Sequence, residues 1–202
     1  MALSAQDKIL YVANKLGLSS LNLMQGSTGA VYDVDSELSG QIFTSASRHQ
    51  NPSVTNITQN EFEVNEALLV ENITAYVLEA EDGLINFQKA YGSQAILVFD
   101  LVIGNKRVMK DTPIFGAGMP YTFSNVGQRT EAIGVNFASV VSPRHQVFME
   151  GAGILIPPQV QWYIDYRLFN VVTGATIPLS EDAPIGFYLF GTRVLLNFNT
   201  SI

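Results

Sequence analysis

EGAGILIPPQVQWYIDYRLF, Glu150 to Phe169, is the stretch that decides the fold. From Gln159 onward it alternates strictly. Val160, Trp162, Ile164, Tyr166 and Leu168 take one side, and Gln159, Gln161, Tyr163, Asp165 and Arg167 take the other. A period of two places successive side chains on opposite faces of an extended chain, so this is a strand with one buried face. The chain's only tryptophan stands on the apolar side, and Pro157 and Pro158 gate the entry. The apolar row is a core row of an antiparallel sandwich. The polar row runs Gln, Gln, Tyr and ends in an Asp and an Arg, a composition that suits a subunit contact as well as a solvated face.

Working outward, the flanking segments read as further strands. Ser93 to Ile103 is apolar on both faces, which marks a strand that is central or covered on both sides. Gly104-Asn105 after it fits a two-residue hairpin with Gly first, as a type II′ turn requires. Phe62, Val64, Leu68 and Val70 share one face of a strand, and Asn72 to Ala80 makes another, closed by a turn at Glu81-Asp82-Gly83. Ala132 to Val141 adds one more, and Gln146 to Glu150 leads through Gly151 and Gly153 into the opening stretch. Ile185 to Phe198 is the last, with Tyr188, Phe190, Thr192, Val194, Leu196 and Phe198 on one face and Leu189, Gly191, Arg193, Leu195 and Asn197 on the other. About eight to ten strands over residues 61–202, with turn signals between them, predict an antiparallel jelly-roll-like β-sandwich.

Residues 1–60 read differently. Ser4-Ala-Gln-Asp7 has the form of a capping box, Ile9, Leu10, Ala13 and Leu16 follow at helical spacing, and Gly17 stands where a left-handed residue ends a helix. A short amphipathic helix over 5–16 is expected, marginal unless its apolar face finds a surface. From Leu18 to Asn60 Ser, Gly, Asn, Thr and Gln dominate, with scattered apolar spots such as Val31, Tyr32, Ile42 and Phe43, and the short pieces Ala30-Val31-Tyr32 and Gln41-Ile42-Phe43 each suit a brief strand. This reads as an extended arm ordered by lying along something else. The expected division is therefore 1–60, helix and arm, and 61–202, sandwich.

Composition narrows the function. The 202 residues are 47% hydrophobic and 14% charged, against roughly 25% charged for an average soluble domain. A chain so poor in charge must bury much of its surface, some of it against other chains. It has no cysteine, which removes disulfides, thiolate nucleophiles and Cys-ligated metals and fits a reducing cytoplasm or a particle assembled there. The net charge is −7, with the acids concentrated in 61–90, and no basic arm or patch appears. Direct nucleic-acid binding through phosphates is not expected. Neither is a transmembrane helix or a signal peptide.

No catalytic constellation stands out. His49 and His145 lie far apart in sequence, with no carboxylate at ligand spacing. Gly116-Ala-Gly118 and Gly151-Ala-Gly153 do not complete a dinucleotide fingerprint and read as bends or bulges. Glu61 and Glu63 share a strand face, and Glu79, Glu81 and Asp82 crowd a turn; solvated edge charges explain them more simply than a paired-carboxylate site. The loop 111–127 carries Phe115, Tyr121 and Phe123, aromatic tips suited to a subunit interface or to stacking on a sugar. No catalytic, cofactor-binding or metal-binding residue is expected, and no enzyme.

The IPPQVQWYIDYRL entry into a long strand and the closing GFYLFGTRVLLNF strand resemble capsid components of tailless phages, and the layout of helix, arm and sandwich resembles viral coat proteins of the jelly-roll type. The resemblance implies a structural assembly protein of the virion, assembled in the host cytoplasm, packing against copies of itself or other shell proteins. One departure is that the arm is not basic, so it should clamp protein rather than genome. The competing expectation is a carbohydrate-binding or adhesin-like module using the 111–127 loop.

Overall fold

The computed structural model describes residues 4–18, 24–44, 54–57, 59–79, 83–85, 87–116, 146–148 and 153–196. In chain order they form α1 (Ala5–Leu16), β1 (Gln25–Val34), β2 (Gln41–Ile42), β3 (Glu66–Glu79), β4 (Gly83–Ile85), α2 (Phe87–Tyr91), β5 (Ala95–Ile103), β6 (Lys106–Gly116), β7 (Gln146–Phe148), β8 (Ile154–Ile156), β9 (Trp162–Asn170) and β10 (Ile185–Leu195).

The strands make two antiparallel sheets. In sheet A, β1 pairs β10 and β10 pairs β3, while β8, β7 and β4 take successive parts of the other flank of β3. In sheet B the order is β2-β9-β5-β6. Because β7 and β8 run along one flank of β3 as two pieces of a single strand, and β4 is a short addition, eight main strands remain. They pair first with eighth, second with seventh, third with sixth and fourth with fifth. That is one long hairpin rolled into a two-layered sandwich, the jelly roll.

The core lies between the sheets. β9 alternates as its sequence requires, with Trp162, Ile164, Tyr166 and Leu168 buried. Trp162 sits between Phe43, 4.8 Å away centroid to centroid, and Phe62, 5.7 Å away. Facing it from sheet A are Ile73, Ala75, Val77, Phe187 and Leu189. Each such side chain removed from water contributes roughly 1.5–3 kcal/mol. β5 is central, and Asp100 and Val102 on its outer face are buried along with Phe99 and Leu101 on its inner face. At its end Gly104 has φ 60° and Asn105 does not enter the positive region, the signature of a type II′ hairpin.

The N-terminal helix forms as its caps dictate. The Asp7 N–H donates to Ser4 Oγ and the Ser4 N–H donates to Asp7 Oδ2, both at 3.2 Å, and Gly17 closes the helix at φ 68°. Its apolar face packs on the outer side of sheet A, where Val12 meets Ala67, Leu69, Val194 and Leu196. Lys8 Nζ pairs with Glu71 at 2.7 Å. A helix of twelve residues is marginal alone, and this surface is what it lacked.

The expected divide at residue 61 does not hold as a structural boundary. Residues assigned to a separate arm supply β1, which pairs with β10 along all ten of its residues, and β2, which pairs with β9. The brief strands expected at Ala30–Tyr32 and Gln41–Phe43 fall on β1 and β2, but the full length of β1 escapes a pattern reading because it is an edge strand with little to bury. Gly29 stands where a Cβ would crowd Arg193, and two inward positions are aspartates. Asp33 Oδ2 accepts from the Phe43 N–H at 2.9 Å, and Asp35 Oδ2 accepts from the Gly40 N–H and the Tyr166 hydroxyl, each at 2.8 Å. Those buried carboxylates hold the β1–β2 connection against the sandwich. Asn56 covers the free edge of β1, accepting from the Tyr32 N–H and donating to the Ala30 carbonyl, both at 2.8 Å.

Two other boundaries shift. The strands expected on either side of Glu71 are one strand, β3, with a bulge there: Phe190 faces Asn72 while Gly191 faces Val70. Gly191 is required at this bulge, because a Cβ would run into the Leu69 carbonyl. The first residues of the expected 111–127 loop continue β6 as far as Gly116. The strand expected over Ala132 to Val141 lies outside the described residues.

Candidate functional site

The outer face of sheet A is built by the strands that also make the core. β10 turns Ile185, Phe187 and Leu189 inward, so Tyr188, Phe190, Thr192 and Val194 point outward. α1 covers the Val194 end. At the other end Tyr188 and Phe190 remain 36% and 39% exposed. Tyr32 is in register with Tyr188 and stacks on it at 6.3 Å with rings 11° from parallel, and Ala30 lies opposite Phe190. One step further, Gly186 leaves room for the Tyr76 ring to lie across β10, where any side chain would collide with it. Burial pushes the Tyr76 hydroxyl well above the ordinary tyrosine value, with Asp33 and then Tyr32 adding to the shift. The result is an uncharged platform of three tyrosines and a phenylalanine, apolar in its rings and polar at its rims.

The outer face of sheet B is different. Asp100 is fully buried there. Its Oδ1 accepts from the Asp111 N–H at 2.6 Å, and its Oδ2 lies 3.2 Å from Arg107 Nη1 and 3.5 Å from Arg167 Nη2. Arg167 also pairs with Asp111 at 2.6 Å. Asp165 stands in register with Asp100. Burial raises its carboxyl above the ordinary range; Arg167 opposes that, Asp100 adds to it, and Arg107 opposes it. The polar row of β9 thus ends in a charge cluster belonging to its own sheet.

A third feature is a cleft of about 240 Å³ at an open end of the sandwich. Phe62, Leu68 and Trp162 line it from the core side, while Gln59, Glu61, Glu63, Glu66 and Arg193 bring polar groups to it. Glu66 and Arg193 pair through two bonds, Nε to Oε1 at 2.6 Å and Nη2 to Oε2 at 2.7 Å.

The sequence-derived candidates fare unevenly. Glu61 and Glu63 both line the cleft, joined there by Glu66 and Arg193. Gly153 makes a close approach at φ 96°, where a Cβ would strike the Val70 carbonyl, as a bend would require. His49, His145, Glu81, Asp82, Tyr121, Phe123, Gly118 and Gly151 lie outside the described residues. Among the described residues no group of three or more His, Cys, Asp or Glu is placed to hold a metal ion. No helix among them is long and apolar enough to cross a membrane. Sequence reasoning missed the Tyr32–Tyr76–Tyr188 platform. Its one signal was that both faces of β10 are apolar, more than a single core can cover. Compared with known proteins, the chain matches no family model, no curated protein and no solved structure.

Proposed function

We propose that this chain is a structural assembly protein: a jelly-roll subunit of a phage or virus capsid, or a capsid-associated protein, packing in the virion against copies of itself or other shell proteins. The reading rests on the aromatic platform. Single exposed apolar residues are ordinary, but a contiguous aromatic patch on a flat sheet face marks a protein contact, and tyrosine and phenylalanine are enriched in the centres of interfaces. Two further observations support it. Jelly rolls recur in viral shells as well as in lectins and cupins. The space between the sheets is filled by Trp162, Phe43, Phe99 and Phe187, each essentially inaccessible to solvent, so the surface is where this sandwich has chemistry to offer. The N-terminal helix is spent on the same chain's sheet and acts as part of the subunit's body.

Light scattering across a concentration series of the purified full chain tests this reading. A mass that grows above that of the 22.1 kDa monomer is expected. A protein that stays strictly monomeric at the highest concentration reached would count against it.

A further inference from the structure

We propose that the first half of β1 is a strand-pairing edge, where a second copy of this chain adds its own β1 antiparallel about a two-fold axis at Ser27. The inference rests on the assembly reading and gives it a second contact, separate from the aromatic platform.

The backbone of β1 sets the geometry. β1 pairs β10 in unbroken register, and just beyond it the Asp35 N–H donates to the Ile185 carbonyl at 3.0 Å. The odd-numbered residues of β1 therefore bond to β10, and the even-numbered ones turn their N–H and C=O groups toward the free edge. Asn56 takes up that row at one end only. Its side chain accepts from the Tyr32 N–H and donates to the Ala30 carbonyl, and its own N–H donates to the Tyr32 carbonyl at 3.2 Å. Among the described residues no backbone or side-chain group meets the edge at Gly26 or Thr28, and Gln25, Ser27 and Thr28 are exposed.

Unpaired backbone groups along an exposed edge are a template for another strand unless something blunts them. β6, an edge of sheet B, is blunted. Lys106, Arg107 and Lys110 charge it, Pro113 lacks an N–H, and Asp111, at φ 46°, sits where its register with β5 shifts. Residues 25–29 of β1, Gln-Gly-Ser-Thr-Gly, carry no charge, no proline and no positive φ.

A second copy fits this gap in length and in charge. With Ser27 facing Ser27, the two β1 strands overlap from Gln25 to Gly29, and each overlap stops where Asn56 begins to cover the edge. A register centred on Thr28 would need the Ala30 carbonyl, which Asn56 holds, and a longer strand from another protein would run into Asn56. The chain carries a net charge of −7, so copies repel one another in general, and an uncharged edge lets them approach. In this arrangement Gly26 of each copy exchanges both backbone bonds with Thr28 of the other, and the two A sheets become one. So short a ladder does not by itself offset the cost of association. It forms between copies that the platform has gathered into one assembly.

The chain has no cysteine, which makes disulfide trapping clean. Facing residues in a non-hydrogen-bonded pair stand about 4.5 Å apart, Cα to Cα, within reach of a disulfide. The full chain carrying Ser27→Cys, and separately Val108→Cys at an exposed position on the β6 edge, is oxidised at a concentration where the parent associates in sedimentation velocity. Ser27→Cys should pass into a reducible dimer about tenfold faster than Val108→Cys, or more. Adding Thr28→Pro removes one N–H from the free edge and spares the bonds to β10, and should slow linking by about tenfold or more. Association without linking at Ser27, equal linking at Val108, or linking indifferent to Thr28→Pro would overturn the edge pairing and leave the assembly reading standing. A parent chain that stays monomeric would overturn both.

Discussion

Sheet B closes its outer face with its own charges, whereas sheet A covers half of its outer face with a helix and leaves the other half aromatic. On sheet B, Asp100 is surrounded by Arg107, Arg167 and the Asp111 backbone. A face with its charges paired internally has little to gain from a partner. On sheet A, α1 covers Ala67, Leu69, Val194 and Leu196 and stops short of Tyr32, Tyr188 and Phe190. The side chains differ accordingly. Under the helix they are small or aliphatic, which lets a backbone approach closely; beyond it they are large rings with hydroxyl rims, which tolerate both water and a partner. Under the proposed function, sheet A is the side that would meet a partner.

The core shared by both sheets sets the largest effect. Trp162→Ala should cost about 3–5 kcal/mol, the range for deleting a buried large aromatic, read by urea denaturation. A variant as stable as the parent would mean that β9 does not anchor the two layers.

Next come the two halves of the sheet A face. Leu69 is fully buried beneath α1, so Leu69→Ala should cost about 2–5 kcal/mol. Phe190→Ser, on the same face but in the bare half and 39% exposed, should cost less, about 1–2 kcal/mol. Equal costs at the two positions would erase the distinction between a covered half and an open one.

The sheet B cluster can be probed in the same way. Asp100→Ala removes the acceptor of the Asp111 N–H and should cost about 1–3 kcal/mol. The two arginines are substantially exposed, at 54% and 41%, so they rehydrate and the cost stays below that of breaking a fully buried pair. Asp165 gives the smallest effect, and of opposite sign. Its raised carboxyl means that the fold favours the neutral form, so the charged form costs stability at neutral pH, and the cost disappears as pH falls below the ordinary value of 3.8. Asp165→Asn should therefore raise the melting temperature slightly at pH 7 and leave it unchanged at pH 3. A fall at pH 7 would show that Arg167 and Arg107 outweigh burial.

What could be read in advance follows from how local each signal is. β9 was legible because strict alternation is a property of ten consecutive residues, Gln159 to Leu168. α1 was legible because Ser4, Asp7 and Gly17 carry its ends within its own sequence. β1 was legible only as the brief piece Ala30–Tyr32, because what holds the rest is distant: Asp33 and Asp35 gain their partners from Phe43, Gly40 and Tyr166, and Gly29 answers to Arg193 across the sheet. The platform was half legible. Alternation put Tyr188 and Phe190 on one face of β10, but which face is inward, and how far α1 reaches across the outer one, depends on tertiary packing. The cleft was less legible still, since Glu61, Glu66, Trp162 and Arg193 meet only when the hairpin is rolled.

The central claim is that the aromatic half of sheet A is what joins this chain to its neighbours, and sedimentation velocity on three proteins tests it most directly. The parent chain should sediment as an associating species. The double variant Tyr188→Ser, Phe190→Ser should sediment as a folded monomer, its melting temperature lowered by loss of the Tyr32–Tyr188 stack. The double variant Val171→Ser, Val172→Ser, at an exposed apolar tip elsewhere, should associate like the parent. Association that survives loss of Tyr188 and Phe190, or that disappears with Val171 and Val172 instead, would contradict the account.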